Sequence, residues 1–541
     1  MSPRRSKLVA SLPILLFVSL LARPAAAQET HELGAVDFQV SCAPEVRGAF
    51  DRAVALLHHM MYDESRLEFE RVAADDPACA MAHWGIAMTL FQPLWPLRPG
   101  PEDLRRGWEE VQKGEELAPA TDRERALVAA AAAFYREPDS ADWWTRIARW
   151  AEATEAAWRA RPDDVETSAF QALAVLASGS VAEDRMAHQA RAAELLAGIL
   201  EREPTHPGAV HYTIHANDVD GRAGESLDVV EGYSHIAPSV PHALHMPTHI
   251  FIRLGEWPQV IEWNRKSADA ALRVAGERPS PGTHYLHAMD YSVYAQLQQG
   301  ADRAAEATLI EAIGRDRFAD DFASAFHLAA MPARYAIERR AWDEAAAVAA
   351  RTPEALPWER YPWAEALAWF ARGMGSARSG EVEEARRAEA RMVALRDAAE
   401  AAAERDFATY IEVDRRILAG WIAYVTGDAE GAVQLVRSAA ELDRTVQKHP
   451  VSPGALYPPF EALGDLLLEA GRPAEALAAY RSSLEAWPRR YRTLLGAARA
   501  AREVGDAAEA ARYYGELLEV ASEGDDSRPD LEEAREFVRG Q

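Results

Sequence analysis

The sequence predicts an all-α fold, a solenoid of stacked helix–turn–helix repeats. Near the C-terminus two stretches each end one helix, turn at a glycine and start another, and their glycines, Gly471 and Gly505, lie 34 residues apart. Strand signals are nearly absent, with no sustained alternation and no Asn-Gly hairpin turn. A unit of this size cannot bury its apolar face alone, so neighbouring repeats must stack. The same turn pattern recurs upstream at Gly221, Gly255, Gly300, Arg340, Gly380 and Gly427.

The spacing within one repeat identifies its type. Residues 460–488 carry small residues, an aromatic residue and a final proline at spacings that resemble the tetratricopeptide (TPR) consensus. The resemblance implies a TPR-like solenoid wound as a right-handed superhelix, with a concave groove lined by the first helix of each repeat. The positions that carry it are Gly464, Gly471, Ala476, Tyr480 and Pro488.

The chain divides into five regions. Residues 1–27 have a basic start, an apolar core and a small-residue end, which is typical of a cleaved signal peptide; the apolar core is short for the alternative, a membrane anchor. Residues 28–39 are predicted to be a flexible linker, and 40–200 an N-terminal helical, TPR-like region with a Pro-rich crossover at 93–120. Residues 201–345 are histidine-rich TPR-like repeats, and 346–541 are C-terminal TPR repeats.

Charge and compartment limit the function classes. The net charge of −26 opposes binding to nucleic acid and to anionic lipid. No later segment has 18 uninterrupted apolar residues, so we expect no stable membrane insertion after signal removal. The signal predicts a periplasmic or secreted protein. In that oxidising setting Cys42 and Cys79, which would open two helices at the same end of the stack, could form a disulfide; two buried thiols are the alternative.

Histidines are concentrated in the middle repeats. Nine of the 16 fall between His206 and His287. His211 and His215 share a helix face, and so do His242, His245 and His249. His211 to His245 and His215 to His249 are both 34 residues, one repeat length, so the pairs should lie at equivalent points on adjacent helices.

Counting back from the turn glycines places these side chains on the concave face. His287 and Asp290 take corresponding positions on the next repeat, while Arg253 and Tyr294 lie close to them in the groove. Neutral imidazoles with a nearby carboxylate are ligands for a transition metal such as zinc or copper. The sequence therefore predicts a metal site at His211, His215, His242, His245, His249, His287 and Asp290, and His327 could extend the groove.

Two interpretations without a metal stay open for the cluster. A polar groove could bind a peptide or a small anion, and the histidines could also be packing residues with satisfied hydrogen bonds.

Several stretches resemble a bacterial group of exported TPR proteins. They are DPACAMAHWGIAM at 76–88, HYTIH at 211–215, HMPTHIFIR at 245–253 and THYLHAMDY at 283–291, so the resemblance covers most of residues 40–345. That group is defined by its repeats rather than by an activity. The resemblance implies the fold and the export, and it marks five of the histidines and Arg253 as motif positions.

Two functions follow from these features. The first is a binding or scaffold protein that holds a protein or peptide ligand in the TPR groove. The second is a metal-dependent enzyme of hydrolase or oxidase type, in which the histidines hold an ion and Asp290 or Tyr294 acts as acid, base or orienting group.

Overall fold

The computed structural model describes residues 33–95, 98–179, 184–276, 282–315, 317–525 and 528–540. Every regular element in these residues is helical. The elements comprise 26 α-helices, with three short 3₁₀ segments at Pro44–Val46, Ala223–Ser226 and Trp358–Arg360. Consecutive helices pack against one another along the chain. The predicted all-α, TPR-like helix–turn–helix solenoid is therefore confirmed.

The N-terminal region is helical almost throughout. The predicted irregular crossover at 93–120 is wrong in its second half, where a helix begins at Pro101: proline lacks an N–H and suits the first turn, and Gly100 precedes it as the N-cap. The helices of this region are α1 (Arg47–His58), α2 (Tyr62–Asp75), α3 (Ala80–Thr89), α4 (Pro101–Glu116), α5 (Asp122–Tyr135), α6 (Trp143–Ala160), α7 (Val165–Gly179) and α8 (Arg185–Leu200).

The middle region holds the histidine-bearing helices. It contains α9 (Pro207–Asn217), α10 (Leu227–Ile236), α11 (Pro241–His245), α12 (Pro247–Leu254), α13 (Trp257–Ala275), α14 (Thr283–Gln298), α15 (Asp302–Ile313), α16 (Phe322–Glu338) and α17 (Trp342–Ala346). Helices α11 and α12 follow one another directly, and Met246 between them has helical angles. Pro247 starts α12 because its missing N–H interrupts the hydrogen-bond ladder.

The C-terminal region consists of long helix pairs. They are α18 (Pro362–Arg378), α19 (Val382–Ala401), α20 (Arg405–Val425), α21 (Ala429–Asp443), α22 (Pro459–Glu469), α23 (Pro473–Ala486), α24 (Tyr491–Val504), α25 (Ala507–Val520) and α26 (Asp530–Arg539). The predicted region boundaries at 200/201 and 345/346 stay predictions.

The predicted turn glycines other than Gly221 share one backbone arrangement. Gly505 has φ +91°, a left-handed conformation that favours glycine, and the N–H of the next residue donates to the carbonyl of Ala501, five residues back. The same bond follows Gly255, Gly300 and Gly471, each with positive φ. This turn ends the first helix of a pair and reverses the direction of the chain. The spacing between such glycines therefore indicates the repeat.

The C-terminal helices also return to the middle of the chain. The indole N–H of Trp257 on α13 donates to the carbonyl of Arg489 (2.9 Å), and the N–H of Tyr491 on α24 donates to the side chain of Gln298 on α14 (3.2 Å). These contacts join residues that are more than 190 positions apart. The ends of α13 and α14 next to the turns at Gly255 and Gly300 are therefore covered by later parts of the same chain.

The predicted signal, 1–27, and the start of the predicted linker lie outside the described residues. From Leu33 onward the linker is packed rather than flexible, since Leu33 and Phe38 are buried and Phe38 contacts the ring of Trp84.

Among the described helices, none has the length and apolarity needed to cross a bilayer.

A disulfide joins Cys42 and Cys79, whose Cα atoms are 4.7 Å apart. It closes a loop with a sequence separation of 37. We expect reduction to lower the free energy of unfolding by about 4 kcal/mol, because the unfolded chain regains the entropy of the open loop. Thermal unfolding with and without reductant measures the change. The Cys42→Ser/Cys79→Ser variant should not respond to reductant, and an unchanged wild-type midpoint would contradict the prediction.

Candidate metal centre

Three neighbouring parts of the solenoid bring the predicted histidines together. Helix α9 carries His211 and His215, helices α11 and α12 carry the next three, and α14 carries His287. All except the partly exposed His215 are buried. Burial lowers the pKa values of all six, that of His215 to about 3, and adjacent histidines lower most of them further. The rings are therefore neutral imidazoles, the protonation state that binds metal.

The six histidines form two sets of three rather than one cluster. Within each set, one ring nitrogen from every histidine lies within 4.8 Å of the others. We call His245, His249 and His287 the inner triad, because all three are buried. We call His211, His215 and His242 the outer triad, because one of its members is partly exposed.

Hydrogen bonds fix the tautomers of two inner-triad histidines. Nδ1–H of His249 donates to the carboxylate of Asp218 (2.9 Å), which can only accept. Nδ1–H of His245 donates to Oδ1 of Asn264 (2.6 Å), whose amide nitrogen is turned away to the carbonyl of Val260. In both rings Nε2 therefore keeps its lone pair.

A chain of hydrogen bonds sets the tautomer of the third inner-triad histidine, His287. The carboxylate of Asp290 accepts from Nδ1–H of His327 (3.0 Å), which leaves a lone pair on Nε2 of His327 when that ring is neutral. That lone pair accepts from Nδ1–H of His287 (3.0 Å). The Nε2 atom of His287 is then also a free acceptor, and all three inner-triad histidines offer Nε2 as a ligand atom.

Without an ion, these tautomers bring two Nε2 lone pairs face to face. Nε2 of His245 and Nε2 of His249 are 3.0 Å apart, and the hydrogen bonds at the two Nδ1 atoms leave a lone pair on each Nε2. Two facing lone pairs repel, and a cation between them would remove this repulsion. A shared proton is disfavoured because burial lowers the pKa of both rings.

Asp218, the carboxylate that accepts from His249, is itself bound by two cationic side chains. Asp218 accepts from Arg253 (2.9 Å) and from Lys448 (3.0 Å) while it orients His249. Burial raises the pKa of the Asp218 carboxyl, but Lys448 and Arg253 outweigh this and hold that pKa well below its usual range. Asp218 is therefore a charged acceptor that keeps the His249 ring in one tautomer and one orientation.

The segment between α21 and α22, residues 444–458, covers the inner triad. It carries Lys448, and its backbone carbonyls at Pro450 and Ser452 accept from the hydroxyl of Tyr291 (2.8 and 3.1 Å). The ring of Tyr291 lies 4.6 Å from that of His245 between ring centres. The histidine face, predicted to line an open groove, is thus closed over by the chain itself.

The other predicted site residues take different places. Asp290 was predicted as a ligand, but its carboxylate bonds His327 and Arg334 (3.2 Å), so it lies one histidine outside the inner triad. Tyr294 does not face the triads, because its hydroxyl accepts from Arg490 (2.6 Å). Arg253 is beside the site and is bound to Asp218.

Of the two histidine pairs predicted from the 34-residue spacing, one lies side by side in the structure. The rings of His215 and His249 are 6.1 Å apart between centres. His211, however, meets His242 (4.9 Å) rather than the expected His245. The difference of three residues is about one helical turn, the stagger between α9 and α11.

A third buried histidine group shows the contrasting pattern. Glu166 accepts from Nε2–H of His58 (2.8 Å) and of His206 (3.2 Å). The other nitrogens accept, from the hydroxyl of Tyr212 (3.0 Å) and from the N–H of Ala209 (3.0 Å). Every donor there has an acceptor, so this group is a structural hydrogen-bond network.

Sequence reasoning missed the residues that orient the rings. Asp218 and Asn264 carry no motif, and Lys448 is 230 residues from its partner. A partial signal exists for Asp218, which lies three residues after His215 and caps the end of α9. The sequence includes His327 only as an extension of the groove, whereas the structure makes it the link between His287 and Asp290.

Comparisons with known proteins add little to this geometry. No protein-family model matches the chain, and no curated protein matches it. Among solved structures, yeast Tom70 is 11% identical with a TM-score of 0.36, and the APC/C hetero-tetramer Cut9-Hcn1 is 12% identical with a TM-score of 0.31. Each likeness covers 92% of this chain and 95% of the other. Both are too distant to carry an inference about function.

Proposed function

We propose that the protein binds a transition-metal ion through the inner triad, His245, His249 and His287. The observation that carries this proposal is the 3.0 Å approach of two Nε2 lone pairs. Two imidazoles on one tetrahedral ion, with bonds of about 2.0–2.1 Å, stand about 3.3 Å apart. An ion between them converts a repulsion into two coordinate bonds.

The ligand set favours zinc or copper. Three neutral imidazoles without a thiolate suit these ions better than calcium or magnesium, which prefer oxygen. Each Nδ1–H is held by an outer partner: Asp218, Asn264 or His327. Metal-binding histidines need such partners, which fix the ring and raise its basicity.

Export is part of the proposal. The leader pattern of residues 1–27 predicts it, and the Cys42–Cys79 disulfide supports it, because disulfides persist mainly in oxidising compartments such as the periplasm. A protein delivered there as an unfolded chain would acquire its metal after folding, since the ligands come from three separate helices.

A protein or peptide partner is also proposed, but at another surface. The histidine face is covered, so an extended ligand cannot lie on it as first expected. A cavity of about 360 Å³ remains beside residues 444–458. Aromatic side chains line it together with charged groups of both signs, such as Asp443, Arg444 and Lys448, so the lining suits an amphipathic segment of a protein partner. The aromatic residues are Phe326, Trp363, Tyr410, Phe460 and Trp487.

The test of the metal proposal is elemental analysis of protein purified from the periplasm. Asparagine can donate from the position of Nδ1 but has no atom at the position of Nε2. The His245→Asn/His249→Asn variant should therefore carry one transition-metal ion fewer per chain than the wild type. His59→Gln is the matched control: it removes another buried imidazole, whose two nitrogens already bond Tyr233 and Leu33.

The result that overturns the proposal is equally definite. Wild-type protein without metal, and without a thermal shift when zinc or copper is added, would exclude the inner-triad site. Equal metal content in the wild type and the His245→Asn/His249→Asn variant would exclude it as well.

A further inference from the structure

The outer triad has its own unexplained atoms. Among the described residues, Nε2 of His211, Nε2 of His215 and both ring nitrogens of His242 are shielded from solvent and have no hydrogen-bond partner. His211 and His242 expose 0% and 4% of their surface. Buried polar atoms in folded proteins are almost always bonded, so three neighbouring histidines in this state point to a missing ligand.

His211 shows which atom is free. Its Nδ1–H donates to the backbone carbonyl of His58 (2.6 Å), which can only accept. Nε2 therefore carries the lone pair, as it does in the inner triad. The ring is held in place from α1, and one of its nitrogens lies within 4.8 Å of one nitrogen each from His215 and His242.

The two triads touch each other along two edges. The rings of His215 and His249 are 6.1 Å apart, and those of His242 and His245 are 6.2 Å apart, measured between ring centres. Helix α11 supplies one histidine to each triad. Ions in two-metal sites are about 3.5–4 Å apart, a separation that requires the two sets of ligands to adjoin, as these triads do.

We propose that the outer triad binds a second transition-metal ion, so that His211, His215 and His242 and the inner triad together form a dinuclear centre. The second ion has ligands of its own, whereas the dinuclear arrangement also rests on the inner-triad ion proposed above. Both ions have three imidazole ligands, and the same metals, zinc or copper, suit both positions.

A cavity with acidic residues in its lining lies beside the outer triad. Trp95 packs against His242 (5.4 Å) and His284 (5.4 Å), and Trp95 and His284 line this cavity of about 250 Å³. Asp63 and Glu64 are also among its lining residues. These carboxylates would raise the local concentration of cations beside the outer triad.

Stoichiometry tests the second site. Metal-free wild-type protein titrated with Cu²⁺ should bind two ions per chain. The His211→Asn/His215→Asn variant keeps a donor for the His58 carbonyl and should bind one ion. The inner-triad variant, His245→Asn/His249→Asn, should also bind one, and His59→Gln should bind two.

The electron paramagnetic resonance signal of Cu²⁺ tests whether the ions are neighbours and needs no variant. The first equivalent should give the spectrum of an isolated ion. The second should broaden or reduce that signal, because two paramagnetic ions a few ångströms apart couple magnetically. A signal that simply doubles would overturn the dinuclear arrangement.

The outcomes separate the two proposals. Wild-type protein that binds one ion, keeps it in the His211→Asn/His215→Asn variant and loses it in the inner-triad variant overturns the second site and leaves the first. One ion lost only in the His211→Asn/His215→Asn variant overturns both the inner-triad site and the dinuclear centre. No binding at all overturns both proposals.

Discussion

Replacing Asp218 with asparagine is expected to lower the free energy of unfolding by about 3–5 kcal/mol. The substitution is nearly isosteric, so its effect is electrostatic. It leaves Lys448 and most of the Arg253 contact buried without the carboxylate that compensates them; the three side chains expose only 4–5% of their area. Urea unfolding of the metal-free protein measures this loss without any contribution from the ion.

The same substitution should weaken metal binding roughly ten- to a hundredfold. Asp218 is the acceptor that holds Nδ1–H of His249, so a neutral amide both loosens the ring and makes Nε2 a weaker donor to the ion. Competition against a chelator of known affinity measures the change. The loss of affinity should appear even under conditions in which the variant is fully folded.

Asp220 provides the matched control. It also contacts Arg253, through the same guanidinium group, but 61% of its side chain is exposed. Asp220→Asn removes the same charge, and exposed ion pairs contribute only about 0–1 kcal/mol because water screens them. An equal loss of unfolding free energy in Asp218→Asn and Asp220→Asn would show that burial of Asp218 with Arg253 and Lys448 does not strengthen their ion pairs.

The sequence predicts the parts of the site that depend on the repeat. A period of 34 residues places His215 beside His249, and the structure has those rings 6.1 Å apart. Turn glycines at Gly255 and Gly300 identify the helices that carry the site, because their left-handed backbone ends each first helix. Local chemistry and periodicity are sufficient for this level of prediction.

Other features of the site depend on geometry that no period encodes. The division into two triads follows from a stagger of about one turn between α9 and α11 and from the break at Pro247. Asn264 reaches His245 from the second helix of its repeat, and Lys448 reaches Asp218 from a segment between later helices. A solenoid in which only neighbours touch would leave the histidines open, as the sequence analysis expects.

The hydrogen bonding and protonation of the histidines therefore depend on later segments of the chain packing over them. An open row of imidazoles would exchange hydrogen bonds with water and would have no fixed tautomers. Covering it removes water, lowers the pKa of the rings and forces each nitrogen to find a protein partner or an ion. The stability of the contacts that close the chain is thus a condition for the site, and the buried Arg490 makes several of them.

Replacing Arg490 with methionine is expected to lower the free energy of unfolding by about 3–5 kcal/mol. Arg490 is fully buried just before α24, and it donates to Glu461 on α22 (3.2 Å), to Glu338 on α16 (2.5 Å) and to Tyr294 on α14 (2.6 Å). Methionine fills much of the volume but leaves the two buried carboxylates with less positive charge beside them. Thermal and urea unfolding of the metal-free variant measure the cost.

Arg387 offers the same substitution at an exposed ion pair. Arg387 and its partner Glu384 expose 63% and 50% of their side chains, so Arg387→Met should cost no more than about 1 kcal/mol. If closure of the chain holds the cover over the triads, Arg490→Met should also speed the release of bound metal to a chelator, whereas Arg387→Met should not. Unchanged release from a destabilised Arg490→Met protein would mean that the cover is held by the contacts of residues 444–458 alone.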